Sequence, residues 1–173
     1  MRAEILKEHS RSQCNKIVHW IGNTQARFDE LMQLFFSGEY LLTQRAAWPL
    51  GYCVIAHPTL IDKHLAPLIA FMQKPGVHNA VKRNTLRLLQ VVHIPENYEG
   101  TIMDLCFSYI TNPREKAAVK AFSLTVLSNL ARQYPEILPE IRLVIEERWN
   151  SETPAFRSRA KKILMDKNLK GKT

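Results

Sequence analysis

Histidines, cysteines and carboxylates are the side chains of this sequence that could make or break bonds. A metal centre needs ligands that converge, as two histidines four residues apart on a helix do. His9, His19, His57, His64, His78 and His93 form no such pair, so neither a metal nor a cofactor is expected. A Cys–His nucleophile would need Cys14, Cys53 or Cys106 in a polar cleft that favours the thiolate. Glu146 and Glu147 are neighbours, so on a helix they point to different sides and cannot act together as acid and base. Trp20, Trp48 and Trp149 could stack bases in a nucleic-acid groove, or anchor a core. The glycines are scattered, mostly at turns, and build no phosphate-binding loop.

The elements that would position these residues are helices. Phe28, Leu31, Met32 and Phe35 have the i, i+3, i+4, i+7 spacing of one helix face. The same face recurs as Leu65, Leu68, Ile69, Met72, then as Met103, Cys106, Phe107, Ile110, then as Ile141, Val144, Ile145 with Arg148 beside Trp149. A second helix follows each of these. Its columns run Ala47, Thr85, Ser123, Ala160 (small residues that permit close approach), then Leu50, Leu88, Val126, Ile163, then Gly51, Leu89, Leu127, Leu164. Trp48 shares a column with Leu86 and Leu124, which points to the core. Cys14, Ile17 and Val18 supply a shortened copy at the N-terminus, so Cys14 and Cys106 both fall on core columns.

Pro75-Gly76, Asn112-Pro113, Thr153-Pro154 and Ser37-Gly38 separate first from second helices, while His57-Pro58, Ile94-Pro95 and Tyr134-Pro135 end the second helices. The spacing predicts a helix over 2–21, then pairs 24–36 with 39–56, 59–73 with 77–93, 97–111 with 114–133, and 136–149 with 154–168. Pro49 falls inside a second helix and should kink it. No segment alternates with period two, so no strands are expected. The fold class is all-α, an α-solenoid of antiparallel helix pairs, about four pairs plus one N-terminal helix. With no linker, residues 1–173 read as a single domain whose tail, 169–173, frays. Phe28 and Leu169, read as exposed apolar residues at the ends, would mark either a dimer contact or merely a capping helix, and the oligomeric state is left open.

Apolar residues make up 46% and charged residues 23% of the chain, values of a globular protein rather than a disordered one. No apolar run approaches the ~20 residues needed to span a bilayer, and each amphipathic face is claimed by the repeat core, so no membrane contact is expected. The start of the chain lacks the apolar core of a secretory signal, and the odd cysteine count argues against a disulfide framework; the expected compartment is the cytoplasm. The formal charge of +8 is concentrated in the second half of the sequence. Such a surface suits polyanions or acidic proteins.

This pattern resembles the HEAT-like, armadillo-type helical repeats, in which an aliphatic residue followed by Arg or Lys opens the second helix. Val81-Lys82, Val119-Lys120 and Phe156-Arg157 match, and Thr43-Gln44 departs. The resemblance implies that second helices line a concave surface, without implying an activity, since one scaffold hosts many functions. It aligns Arg11, Gln44, Lys82, Lys120 and Arg157 in one column, with Arg45, Arg83, Arg87 and Lys162 close by. As a stripe, Arg11, Arg45, Lys82, Arg83, Arg87, Lys120, Arg157 and Lys162 would bind a partner. Alternatively, the resemblance implies that this basic column bonds turn carbonyls and carboxylates of the neighbouring repeat. The expected function is a non-enzymatic scaffold for an acidic protein partner. Nucleic-acid binding through the stripe is the alternative. Some HEAT-like proteins are DNA glycosylases; those need an Asp beside a Trp-rich pocket, and Asp29, Asp62, Asp104 and Asp166 show no pairing with a tryptophan cluster.

Overall fold

A computed structural model describes residues 1–166, and every element in it is helical. The expected end of the last helix at 168 and the tail with Leu169 lie outside the described residues. The elements are α1 (Arg2–Lys7), α2 (Arg11–Ile21), α3 (Gln25–Phe35), α4 (Tyr40–Ala56), α5 (Leu65–Met72), α6 (Asn79–Leu88), α7 (Glu96–Thr111), α8 (Ala117–Leu130), α9 (Leu138–Arg148) and α10 (Pro154–Met165). Short 3-10 segments, Pro58–His64 and Pro135–Ile137, lead into α5 and α9. The all-α class and the organisation in helix pairs therefore stand.

The boundaries have local causes. The helix expected over 2–21 is two helices. Ser10 is extended and its hydroxyl accepts the Gln13 N–H at 3.1 Å, so a new helix starts there. Gly22, at φ +52°, closes α2 with its N–H on the Val18 carbonyl at 2.9 Å. The first helices of the second and fourth pairs begin late because Pro67 and Pro139 cannot donate an i→i−4 bond and are accommodated at least cost in the first turn, where no such bond is needed. His78 and Thr153 cap α6 and α10 through their side chains. Pro49 is buried inside α4, and the helix runs through it unbroken.

Packing groups the chain into two compact units, Met1–His93 and a second from Ile94 onward. In the first, α4 is central: α1, α2, α3, α6 and the 3-10 segment Pro58–His64 all pack on it. In the second, α8 packs against both α7 and α10, and α7 against α9. The small-residue column is buried at Ala47, Thr85, Ser123 and Ala160, where second helices approach closely. Phe28 is fully buried, so it anchors the core of α3 and is not a dimer contact. In α7 the core face is Ile102, Cys106, Tyr109 and Ile110, with Glu99. Met103 and Phe107, expected on that face, are only half-buried. Two overlapping apolar columns run along this helix one residue apart, and the packing selects the other one.

Gly51 has an ordinary helical backbone, and a Cβ added there would meet Asn84 at 3.6 Å, normal van der Waals contact. Gly51→Ala is therefore expected to stabilise the protein by about 0.5–1 kcal/mol through lower backbone entropy in the unfolded chain, read as a higher urea midpoint. A leucine at the same place would run into Asn84 and reverse the sign.

Candidate functional site

The second helices of the pairs, with α2 as their N-terminal counterpart, share an extreme of charge. None of α2, α4, α6, α8 and α10 contains Asp or Glu. Their charges are Arg11 and Lys16, then Arg45, then Lys82, Arg83 and Arg87, then Lys120, then Arg157, Arg159, Lys161 and Lys162. Every carboxylate of the described chain is carried by a first helix or a connecting segment. Sequence columns register single positions and miss this partition; counting acids helix by helix would have found it.

In the first unit three of these helices converge on Tyr52 of α4. The Arg87 guanidinium, from α6, lies 4.5 Å from the centre of its ring. Arg11, from α2, lies within electrostatic reach of the same phenol. These cations hold the phenol below its ordinary pKa, the neighbouring Arg87 foremost and against the opposing effect of burial. Trp48 is half-buried rather than core and packs on His9, ring centres 5.1 Å apart. Arg45 is turned inward and bonds the Leu6 carbonyl at the end of α1 at 2.7 Å. Arg83 is exposed and Lys82 half-buried. Of the expected residues, then, Arg11 and Arg87 are brought together, and Trp48 and Tyr52 join them.

In the second unit, Lys120 is 3% exposed and its ammonium sits 2.5 Å from a Glu152 carboxylate oxygen. Arg148 donates to the same oxygen at 3.1 Å and to the Thr111 carbonyl at 2.9 Å. Lys120 was expected to present charge to a partner. Instead it is spent inside the unit, because an ammonium that deep stays charged only beside a carboxylate. Arg157 is half-buried and Lys162 exposed. Arg45 and Lys120 thus play the inter-repeat bonding role, while Arg11, Arg83, Arg87 and Lys162 remain candidates for a surface.

A family model described as a HEAT repeat domain matches residues 1–167. The chain belongs to the HEAT repeat family. No curated protein and no solved structure matches it. As a HEAT repeat chain it is a scaffold of a type that commonly binds proteins along its stacked helices.

The cysteines of this HEAT repeat chain are all buried and free. Burial raises the thiols of Cys14 to about 11 and of Cys53 and Cys106 to about 12, the reverse of what a nucleophile needs. Among the described residues no cluster of His, Cys, Asp and Glu could hold a metal, and no helix is long and apolar enough to cross a membrane. Trp20, 45% exposed, lies under the Arg27 guanidinium at 4.7 Å. A hollow of about 380 Å³ beside it is lined by Met1, Glu4, Lys16 and Ile17, largely apolar and away from Tyr52.

Asp29 binds Lys63 and His64 at 2.6 Å each and Gln25 at 2.9 Å, tying α3 to the 3-10 segment Pro58–His64. Burial alone would raise this carboxyl, but the hydrogen bonds from Lys63, Gln25 and His64 outweigh it and hold the group well below the usual range. A depressed carboxyl contributes stability above its unfolded pKa of about 4 and loses it as pH falls further. Asp29→Asn is therefore expected to lower the melting temperature at neutral pH and to reduce the loss of stability below about pH 4, measured by thermal melts across that range.

Proposed function

We propose that the chain is a non-enzymatic scaffold that binds an acidic protein partner through the exposed surface of its second helices. The observation that carries the reading is that these helices hold exposed cations and not one carboxylate. Within each unit, a surface of one sign steers an oppositely charged partner and rejects like-charged ones. HEAT repeats supply the other requirement, an array of helices whose outer side chains are free to vary while the inner ones hold the stack. The same reading places the protein in the cytoplasm, supported by three cysteines that are buried as free thiols.

The test is a displayed random-peptide selection on the immobilised full chain, run beside the double charge reversal Arg83→Glu/Lys162→Glu. Both residues are exposed, so the variant should fold. The expected result is enrichment of Asp- and Glu-rich peptides on the wild type and its loss on the variant. Enrichment indifferent to the reversal overturns the reading. So does the absence of peptide enrichment from a chain that binds generic DNA duplex with steep salt dependence, which installs nucleic-acid binding instead.

A further inference from the structure

We propose that Arg11, Tyr52 and Arg87 form a carboxylate-recognition site, and that it takes a partner segment with an apolar residue beside its Asp or Glu. This deepens the scaffold reading and rests on it for the class of partner.

The site is built of donors. Tyr52 carries a phenol O–H that can be donated, and the Arg87 guanidinium stands 4.5 Å from its ring centre. Arg87 is pinned against the Tyr52 ring, and a guanidinium carries five N–H groups, of which the phenol contact uses few. Arg11 opens α2 and is exposed. The helices that frame the cluster, α2, α4 and α6, contain no carboxylate to satisfy these groups. A convergent set of polarised donors is complemented by an oxyanion, and pinning Arg87 beforehand lowers the entropy lost on binding.

The neighbourhood selects the source of that oxyanion. Ile55, three residues beyond Tyr52 on the same face of α4, is 37% exposed, and Val91, four residues beyond Arg87, is 50% exposed. These suit an aliphatic or aromatic side chain flanking the acid. A nucleic acid would instead ask for open aromatic faces, and the aromatic rings here are already engaged, Trp48 by His9 and Tyr52 by Arg87.

The test is fluorescence anisotropy at low salt with the full chain and a fluorescein-labelled dodecapeptide of alternating Asp and Leu. Companion probes carry Asn for Asp or Ser for Leu, and a short DNA duplex supplies phosphate. The Asp–Leu peptide is expected to bind best, each companion peptide about tenfold more weakly. Arg87→Gln, Tyr52→Phe and Arg11→Gln should each weaken the Asp–Leu peptide about tenfold without changing the Asn companion. Arg142→Gln on α9 should change nothing. Arg11 is exposed, so its variant covers the case in which the Arg87 or Tyr52 variant loses helicity by circular dichroism. Binding that Arg83→Glu/Lys162→Glu weakens but all three site variants leave intact overturns this site and spares the scaffold reading. A duplex that binds where the peptide does not overturns both. Binding of none of the probes overturns the site.

Discussion

Replacing Glu152 by Gln is expected to destabilise the second unit by about 3–5 kcal/mol, the cost of leaving a buried cation without its counter-charge. The residue holds Lys120 at 2.5 Å and Arg148 at 3.1 Å on one oxygen, and both Lys120 and Glu152 are buried. The variant keeps the shape of the side chain and removes only the charge. Lys120→Met should cost less, about 1–2 kcal/mol, because Glu152 keeps Arg148 and the methionine fills the space of the lysine stem. Arg148 has a further acceptor in the Thr111 carbonyl and is partly open to water. The double change Lys120→Met/Glu152→Met removes both buried charges together, so it should be less damaging than Glu152→Gln alone. That inversion is the signature of a buried pair rather than of lost packing. Urea unfolding followed by circular dichroism gives the three midpoints. Equal losses for Glu152→Gln and Lys120→Met would show that Arg148 does not compensate Glu152 once the lysine charge is gone.

The same network separates what the sequence tells from what it withholds. The columns of small residues, the turn prolines and the paired helices are local patterns with a fixed period, so they are legible, and Ala47, Thr85, Ser123 and Ala160 are buried as the columns require. Lys120 occupies a column of cations that reads as a surface stripe. Its burial depends on a carboxylate 32 residues away, a pairing that no periodicity encodes. Arg45 is another such case, bonded to a carbonyl 39 residues back. The Tyr52 cluster was missed for a different reason. Trp48 aligns with Leu86 and Leu124, which are buried, but an indole fills more space than a leucine and carries an N–H that needs an acceptor. Trp48 is therefore half-buried and packs on His9, with Tyr52 one turn on, also half-buried. What is readable there is charge: helices α2, α4 and α6 are free of acids and carry Arg11 and Arg87.

Phe28→Ala is expected to cost about 3–5 kcal/mol, while Phe107→Ala costs about 1–2 kcal/mol, although both phenylalanines sit on the apolar column that repeats along the sequence. Phe28 is fully enclosed in α3, so truncation leaves a cavity whose walls are helices that cannot close on it. Phe107 lies on the edge of the core face of α7, half-exposed, while Ile102, Cys106, Tyr109 and Ile110 fill the interior. Water occupies the space it vacates, and only the lost transfer free energy counts. The contrast tests the register of α7 directly. If the helix packed by the column alignment of the sequence, Phe107 would take the place that Met32 and Ile69 hold in their helices, and its truncation would match Phe28→Ala. Ile102→Ala would then be the mild substitution. With Ile102 in the core the order is reversed: Ile102→Ala falls in the range of about 2–5 kcal/mol for a buried isoleucine. The rank of these three variants in one urea series decides which face of α7 holds the second unit together.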